Sequence, residues 1–243
     1  MKYFYLIFIT LIVCSCHNDD DRFNDNVITL ETQNESQESI TSVLANGESL
    51  IVLRASISAE AEDNIQTIEF NKSAGDFLGI AGATASRPID ANGVATVTVR
   101  IPNRVDPLFF NAKVTAKSKT YIAESNIVTH RAYADNIIVE PSAVVITQAS
   151  SVTLNTFLTR NEGVVSEGTS ADFKAFRTIL DQEVEVGRFT GLNNATTDQY
   201  GNMTVTFHTD TGDFDLSTPV FIKVSALDDL SNSITKTITI QVN

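Results

Sequence analysis

The feature that most restricts the fold is a motif written twice. Residues 90–99, Asp-Ala-Asn-Gly-Val-Ala-Thr-Val-Thr-Val, return 108 positions later as residues 198–207, Asp-Gln-Tyr-Gly-Asn-Met-Thr-Val-Thr-Phe. In each copy an Asp-x-x-Gly segment feeds a run in which alternate residues are apolar. Aspartate accepts hydrogen bonds from the backbone two residues on, glycine takes φ > 0 at little steric cost, and a period of two is that of a half-buried strand. The chain is therefore expected to hold two copies of one β domain.

The flanking segments repeat as well. Ile51, Leu53, Ala55 and Ile57 alternate with Val52, Arg54 and Ser56, and Val152, Leu154, Thr156 and Leu158 answer them. Residues 65–70 correspond to 173–176, and Phe77-Leu78-Gly79 is echoed by Phe189-Thr190-Gly191. Phe110, Ala112, Val114 and Ala116 follow Pro107 as Val220, Ile222, Val224 and Ala226 follow Pro219, and residues 121–128 and 234–242 close the two units. Proline in Ile101-Pro102 ends its run because it cannot donate to a ladder. Residues 27–30 read as a first strand, and residues 31–49 as a long polar connection with room for one helical turn. Glycines 75, 79 and 82 read as loop formers. No window keeps a helical period, so roughly seven short strands per unit give an all-β chain of two tandem β-sandwiches. The joint is expected within residues 129–136, which lack glycine and proline and should hold a preferred interdomain angle.

The first 16 residues carry Lys2, an apolar run over 3–13 and then Val13-Cys14-Ser15-Cys16. That run is too short to span a bilayer and has the length of a signal-peptide core. Ser15 directly before Cys16, with Val13 three positions ahead of it, resembles the lipobox of bacterial lipoproteins. The resemblance implies cleavage before Cys16 and acylation of its thiol and new amino group. Cys14 is the rival site, but it would put the bulky Val13 at the cleavage position. The acids that follow, Asp19, Asp20 and Asp21, read as a solvated tether. Beside a lipidated cysteine they also resemble the surface-export signal of Bacteroidetes-type lipoproteins. The expected division is a signal peptide over 1–15, an acidic tether over 16–26, and sandwiches over 27–131 and 132–243.

Removing residues 1–15 takes away Lys2 and no acid, so the net charge moves from −13 to −14. Such a surface argues against nucleic acid and against electrostatic adhesion to anionic lipid. With Cys16 acylated and Cys14 discarded, no thiol is left for a disulfide or thiolate metal site. Tryptophan is absent, which excludes the tryptophan-on-disulfide packing of antibody domains.

The turn and strand motifs at 90–99 and 197–205 resemble the signature hairpin of bacterial immunoglobulin-like domains of the invasin and intimin type. In that family a Thr-Asp-x-x-Gly turn precedes an alternating strand, and a later strand ends in a Val-Thr-Ala-like segment, here Val114-Thr115-Ala116 and Val224-Ser225-Ala226. The match departs at Ile89, where threonine is expected. The resemblance implies immunoglobulin-like sandwiches used as spacer or adhesive modules and carries no catalytic residue.

Reactive chemistry is sparse. His17, His130 and His208 have no metal-ligand spacing and no neighbouring nucleophile. Asp210, Asp213 and Asp215, and later Asp228 and Asp229, read as solvated turn acids, because they lack the ligand spacing of a calcium loop. Asp90 and Asp198 are turn formers. Asp172 with Glu183 is a carboxylate pair of the kind glycosidases use, though no spacing in the sequence joins them. Tyr121, Tyr133 and Tyr200 are the candidates for stacking on sugar, Tyr200 at a turn tip. No cofactor or metal site is expected.

The function expected is that of a non-enzymatic lipoprotein. It is held on the outer membrane through Cys16, faces the cell exterior, and binds a protein or glycan through its sandwiches or serves as a spacer. The contact is expected at the second sandwich, with loops 163–170 and 187–196 the most exposed. The alternative is an accessory subunit of an outer-membrane complex, partnered by a barrel protein.

Overall fold

Alternation of apolar and polar residues builds nearly every long strand of the protein. In the computed structural model the described residues are 27–58, 65–116, 119–192, 195–210 and 219–243. The signal segment, Cys16, Asp19, Asp20, Asp21, His17, Asp213 and Asp215 lie outside them. Among the described residues there are eighteen strands and no α-helix, hence no helix long and apolar enough to cross a membrane.

In the first half, one sheet orders β1 (Ile28–Gln33), β3 (Leu50–Ile57), β7 (Val94–Arg100) and β5 (Asp76–Phe77). The other orders β2 (Ser42–Ala45), β9 (Lys119–Arg131), β8 (Leu108–Ala116), β4 (Thr67–Lys72) and β6 (Thr84–Pro88). The second half repeats the plan. Its sheets are β10 (Asn136–Pro141), β12 (Ser151–Thr159), β16 (Asn202–His208), β15 (Arg188–Thr190), and β11 (Val145–Ile146), β18 (Ser233–Val242), β17 (Val220–Leu227), β13 (Asp172–Ile179), β14 (Gln182–Glu185). β2 runs parallel to β9 and β11 parallel to β18, and all other pairings are antiparallel.

Each pair of sheets closes on its own core. Ile51, Leu53, Ala55, Val97 and Val99 face Ile68, Phe70, Leu108, Phe110 and Ala112 in the first. Val152, Leu154, Met203, Val205 and Phe207 face Ala175, Ile222, Val224, Ile240 and Val242 in the second. The inward faces expected for these strands are the ones observed, as the alternating burial of Val94–Arg100 and Asn202–His208 shows. Phe70, Phe110 and Phe207 are almost wholly buried. Truncating any of them to alanine should cost about 3–5 kcal/mol.

The repeated motif closes as one turn in both copies. Asp90 Oδ1 accepts from the amides of Asn92 (2.8 Å) and Val94 (2.9 Å), and Asp198 Oδ1 accepts from Tyr200 (2.8 Å) and Asn202 (2.9 Å). Backbone bonds from Asp90 N to Val94 O and from Asp198 N to Asn202 O, each 2.8 Å, complete the loop. The glycine of each turn has φ near 70–80° and accepts the amide of the neighbouring strand end, Ile57 on Gly93 and Leu158 on Gly201, both at 2.9 Å. Two further turns are closed by an Asx side chain and a backbone pair with no glycine and no bond to a neighbouring strand end through the left-handed residue, the Asn34 turn through the Glu38 amide alone. Asp228 closes on Asn232 around Ser231 (φ 64°), and Asn34 closes on Glu38 around Gln37 (φ 65°).

Several expectations are corrected here. The polar connection over 31–49 holds no helical turn. It holds the end of β1, the Asn34 turn and β2. The glycine-rich stretch after β4 contains β5 and β6, and each sandwich has nine strands instead of roughly seven. Chain order also differs between the halves. After β4 the chain crosses at Gly75 to pair β5 with β7 before returning as β6, whereas after β13 it folds straight back as β14. A Cβ at Gly75 (φ 84°) would sit 2.5 Å from the Arg100 carbonyl oxygen, so the crossing needs glycine there. Phe77 and Phe189 still hold matching places, opposite Val99 and Phe207.

Gly201→Ala is expected to lower stability by about 2–4 kcal/mol, because left-handed backbone and a contact with the Leu158 carbonyl act together. Gly93→Ala should cost less, since its Cβ would meet the Ile57 carbonyl at 3.3 Å instead of 2.5 Å. Ser231→Gly should stabilise by about 0.5–1 kcal/mol by relieving a left-handed serine. Urea titration of the three variants checks the order.

Candidate functional site

The two sandwiches meet through a polar joint centred on Ser166, whose side chain is fully buried. Its amide donates to Ala132 O (2.9 Å), and its hydroxyl accepts from Ala132 N (2.8 Å) while donating to Ala45 O (2.6 Å). Its carbonyl accepts the hydroxyls of Thr169 (2.7 Å) and Thr197 (2.8 Å). Around it, Val164 N donates to Asn46 O, Glu167 N to Asn103 O, and Arg131 Nη1 to Glu167 O and Thr169 Oγ1. Loop 163–169 is thus plugged into the first sandwich. Of the loop expected to be exposed, 163–170, Glu167, Gly168 and Ser170 are exposed, while Val165, Ser166 and Thr169 are buried because backbone groups of the other sandwich satisfy this polar segment.

The segment between the sandwiches is clamped from the other side. Asp229 accepts two bonds from the Arg160 guanidinium (2.9 and 2.7 Å) and one from Tyr133 N (2.7 Å), and Arg160 also donates to Tyr133 O. The guanidinium holds the Asp229 carboxyl below the ordinary carboxylate range, helped by the Tyr133 amide against the cost of burial. Ala132 and Ala134 are fully buried beside this pair.

The remaining candidates are placed as follows. Tyr200 stands outward from its turn, 69% exposed, in the groove between the sandwiches beside Val164 and Pro102. Tyr121 and Tyr133 are half-buried. His130 is exposed, and His208 Nε2 shares a 2.8 Å bond with Thr190 Oγ1. Asp172 lies opposite Ser225 and Glu183 opposite Thr178, six residues along β13 and about 20 Å apart at strand rise, so the structure does not join them. Asp210 pairs with Arg188 at 3.5 Å, and Asp228 is consumed by its own turn. Among the described residues, no three His, Cys, Asp or Glu side chains are grouped to hold a metal ion.

One surface feature has no sequence signal. The β13–β14 hairpin turns on Leu180 and Asp181, with φ of 49° and 62°, where asparagine and glycine are the favoured pair. Leu180 is 93% exposed, the highest of any large apolar side chain described, with Ile179 and Val184 exposed beside it. β13 starts at the joint, so this tip lies at the opposite end of the second sandwich. All four residues of the edge strand β14 are exposed.

Among solved structures the chain is similar to the Yersinia pseudotuberculosis adhesin InvE, with TM-score 0.54 and 16% identity over 89% of this chain and 59% of that one. It is also similar to invasin, a bacterial integrin-binding protein, with TM-score 0.53 and 17% identity over 89% of this chain and 39% of that one. The chain thus spans roughly two-fifths to three-fifths of those proteins. At these identities the likeness shows the fold, and the chain is a tandem of immunoglobulin-like sandwiches. No protein-family model matches the chain, and no curated protein matches it in sequence.

Ser166→Ala is expected to leave the Ala45 carbonyl and the Ala132 amide without a partner and to lower stability by about 1–3 kcal/mol. Hydrogen exchange should rise at the amides of Val164, Ser166 and Glu167, which is the check. Asp229 binds a proton less readily folded than unfolded, so its contribution is present above about pH 4 and fades as pH falls through the depressed folded value. The stability gap between wild type and Asp229→Asn should therefore shrink between about pH 5 and pH 2, as followed by denaturation at each pH.

Proposed function

We propose that this chain is a non-enzymatic surface module. It is acylated at Cys16, carried outward by the acidic run Asp19–Asp21, and held on the outer membrane facing the cell exterior. Residues 27–131 form the supporting sandwich and residues 132–243 the one that makes contact. The observation that carries this reading is Leu180. A large apolar side chain in left-handed backbone, exposed at the tip farthest from the joint, lowers solubility and stability and serves no core. It suits insertion into an apolar pocket of a protein partner. Asp181, Glu183 and Glu185 around it outnumber Lys174, which pairs with the two glutamates at 3.2 and 3.6 Å, and the remaining negative charge favours a basic rim on that partner and disfavours an anionic membrane. The invasin-type fold supports an adhesive or spacer role. The joint at Ser166 supports one that transmits a fixed direction.

The second reading, an accessory subunit of an outer-membrane complex, draws on β14. Its four exposed residues border the sheet, where a partner strand can add. The two readings part on stoichiometry. Affinity isolation from gently solubilised outer membranes should return no fixed barrel partner if the module acts alone. Recovery of one barrel protein at equal amounts would favour the subunit reading.

Cys16→Ala should shift the protein from the membrane to the soluble fraction, as fractionation and immunoblotting would show. A variant that stayed wholly with the membrane would overturn lipidation as the tether. Leu180→Asp should leave the melting temperature within about 2 °C of wild type, as expected for an exposed site. The same variant should reduce adhesion to a cultured cell layer at least tenfold, and unchanged adhesion would remove the tip from the contact.

A further inference from the structure

We propose a second binding site, for a neutral glycan, on the outer face of the first sandwich. Here β4, β8 and β9 present two adjacent rows of side chains. In one row Asn71 stands opposite Asn111 and Asn111 opposite Glu124. In the next, Phe109 stands opposite Asn126 and is flanked on its other side by Ser73, which exchanges two 2.9 Å bonds with the Phe109 backbone. These six residues line one pocket of about 480 Å³.

The Phe109 ring is the platform. Its chain neighbours Leu108 and Phe110 point into the core at 0% and 2% exposure, so alternation turns Phe109 outward, where it is 59% exposed. An outward phenylalanine in the middle of a sheet adds nothing to the core and offers a flat apolar face. The amides beside it are held in place. Thr84 Oγ1 donates to Asn71 Oδ1 (2.7 Å), and Asn71 Nδ2 donates to Asn111 Oδ1 (3.0 Å). This chain leaves the Asn111 Nδ2 hydrogens free for a ligand. Glu124 and Asn126 have no side-chain partner among the described residues, and they add acceptors and donors one strand spacing, about 4.8 Å, from Asn111 and Phe109.

A ligand that fits must alternate donors and acceptors around a flat apolar face, which is the chemistry of a pyranose. Charge argues against anionic sugars. Glu124 lies in the array, Lys113 is committed to Glu69 at 3.2 Å, and Lys72 donates to Gly75 O at 2.5 Å while lying over the Phe77 ring. A peptide adding as a strand is disfavoured too. β4 and β8 are internal to their sheet, and the one free edge is that of β9 before Val128, since β2 pairs β9 only over Val128–Arg131. A strand added there would lie about 4.8 Å beyond β9 and two strand spacings from β8, out of reach of the Phe109 ring.

This inference goes beyond the proposed contact tip and depends neither on the anchor nor on Leu180. The test is the full-length chain in detergent on an array of neutral oligosaccharides ending in glucose, galactose, mannose or N-acetylglucosamine, with their sialylated and sulfated counterparts. Binding to at least one neutral sugar is expected. Phe109→Ala and Asn111→Ala should each weaken it tenfold or more at unchanged melting temperature, with Phe109→Trp restoring it and Leu180→Asp without effect. No retention on the array, retention of the anionic sugars alone, or binding that survives both Phe109→Ala and Asn111→Ala would overturn the site.

Discussion

The constraint on which the rest of the structure depends is a five-residue turn closed by an Asx side chain. A sandwich strand can keep one face inward only if its register is fixed where the chain reverses, since a slip of one residue exchanges the two faces. In each Asp-x-x-Gly copy the turn is closed by a carboxylate and locked to the neighbouring strand end through the glycine carbonyl. The inward set of β7 and of β16 is thereby fixed by the turn as well as by the core. The same geometry pushes the third residue of the turn into solvent. That is why Tyr200 and Leu230 are 69% and 82% exposed despite their apolar surface.

The joint shows the opposite use of polar groups. Burying a hydroxyl costs free energy unless its bonds are made, and Ser166 makes all of them with atoms contributed by both sandwiches and the segment between. A buried polar network tolerates little displacement, because each broken bond leaves a partner stranded in a low-dielectric interior. The angle between the sandwiches is therefore set by hydrogen-bond geometry more than by apolar area. The Arg160 and Asp229 clamp fixes the backbone of Tyr133 in the same manner.

What could be read in the sequence follows from these two cases. The long strands were legible because two-residue alternation and glycine turns act locally, and Ile51, Val97, Val152 and Val205 fall where alternation puts them. The Asn34 turn is not legible, and of the Asp228 turn only its acids are, since Gln37 and Ser231 give no hint of left-handed backbone. β5 and β6 are not legible because strands of two and five residues among glycines carry no period. Loop 163–170 reads as solvated because Gly-Val-Val-Ser-Glu-Gly-Thr-Ser has loop composition, and nothing in that composition tells water from a neighbouring sandwich as hydrogen-bond partner. Leu180 and Phe109 were silent for a related reason. An apolar residue in an alternating or hairpin context reads as core until the register is known.

Magnitudes then decide how such a molecule must work on the proposed reading. Burying Leu180 fully yields about 2 kcal/mol, and adding Ile179 and Val184, already partly covered, raises this to about 4 kcal/mol at most. A micromolar complex needs about 8 kcal/mol after the cost of association is met. The tip alone is thus a weak contact, and a polar sugar site on the first sandwich, wet and shallow, is weaker still. Affinity must come from number. A lipid tether confines many copies to one plane, and a fixed joint points their tips the same way. The second contact is then made at high effective concentration without a new interaction. A hinge between the sandwiches would scatter those directions and forfeit that gain. The buried Ser166 network is therefore the structural condition for weak tips to act together.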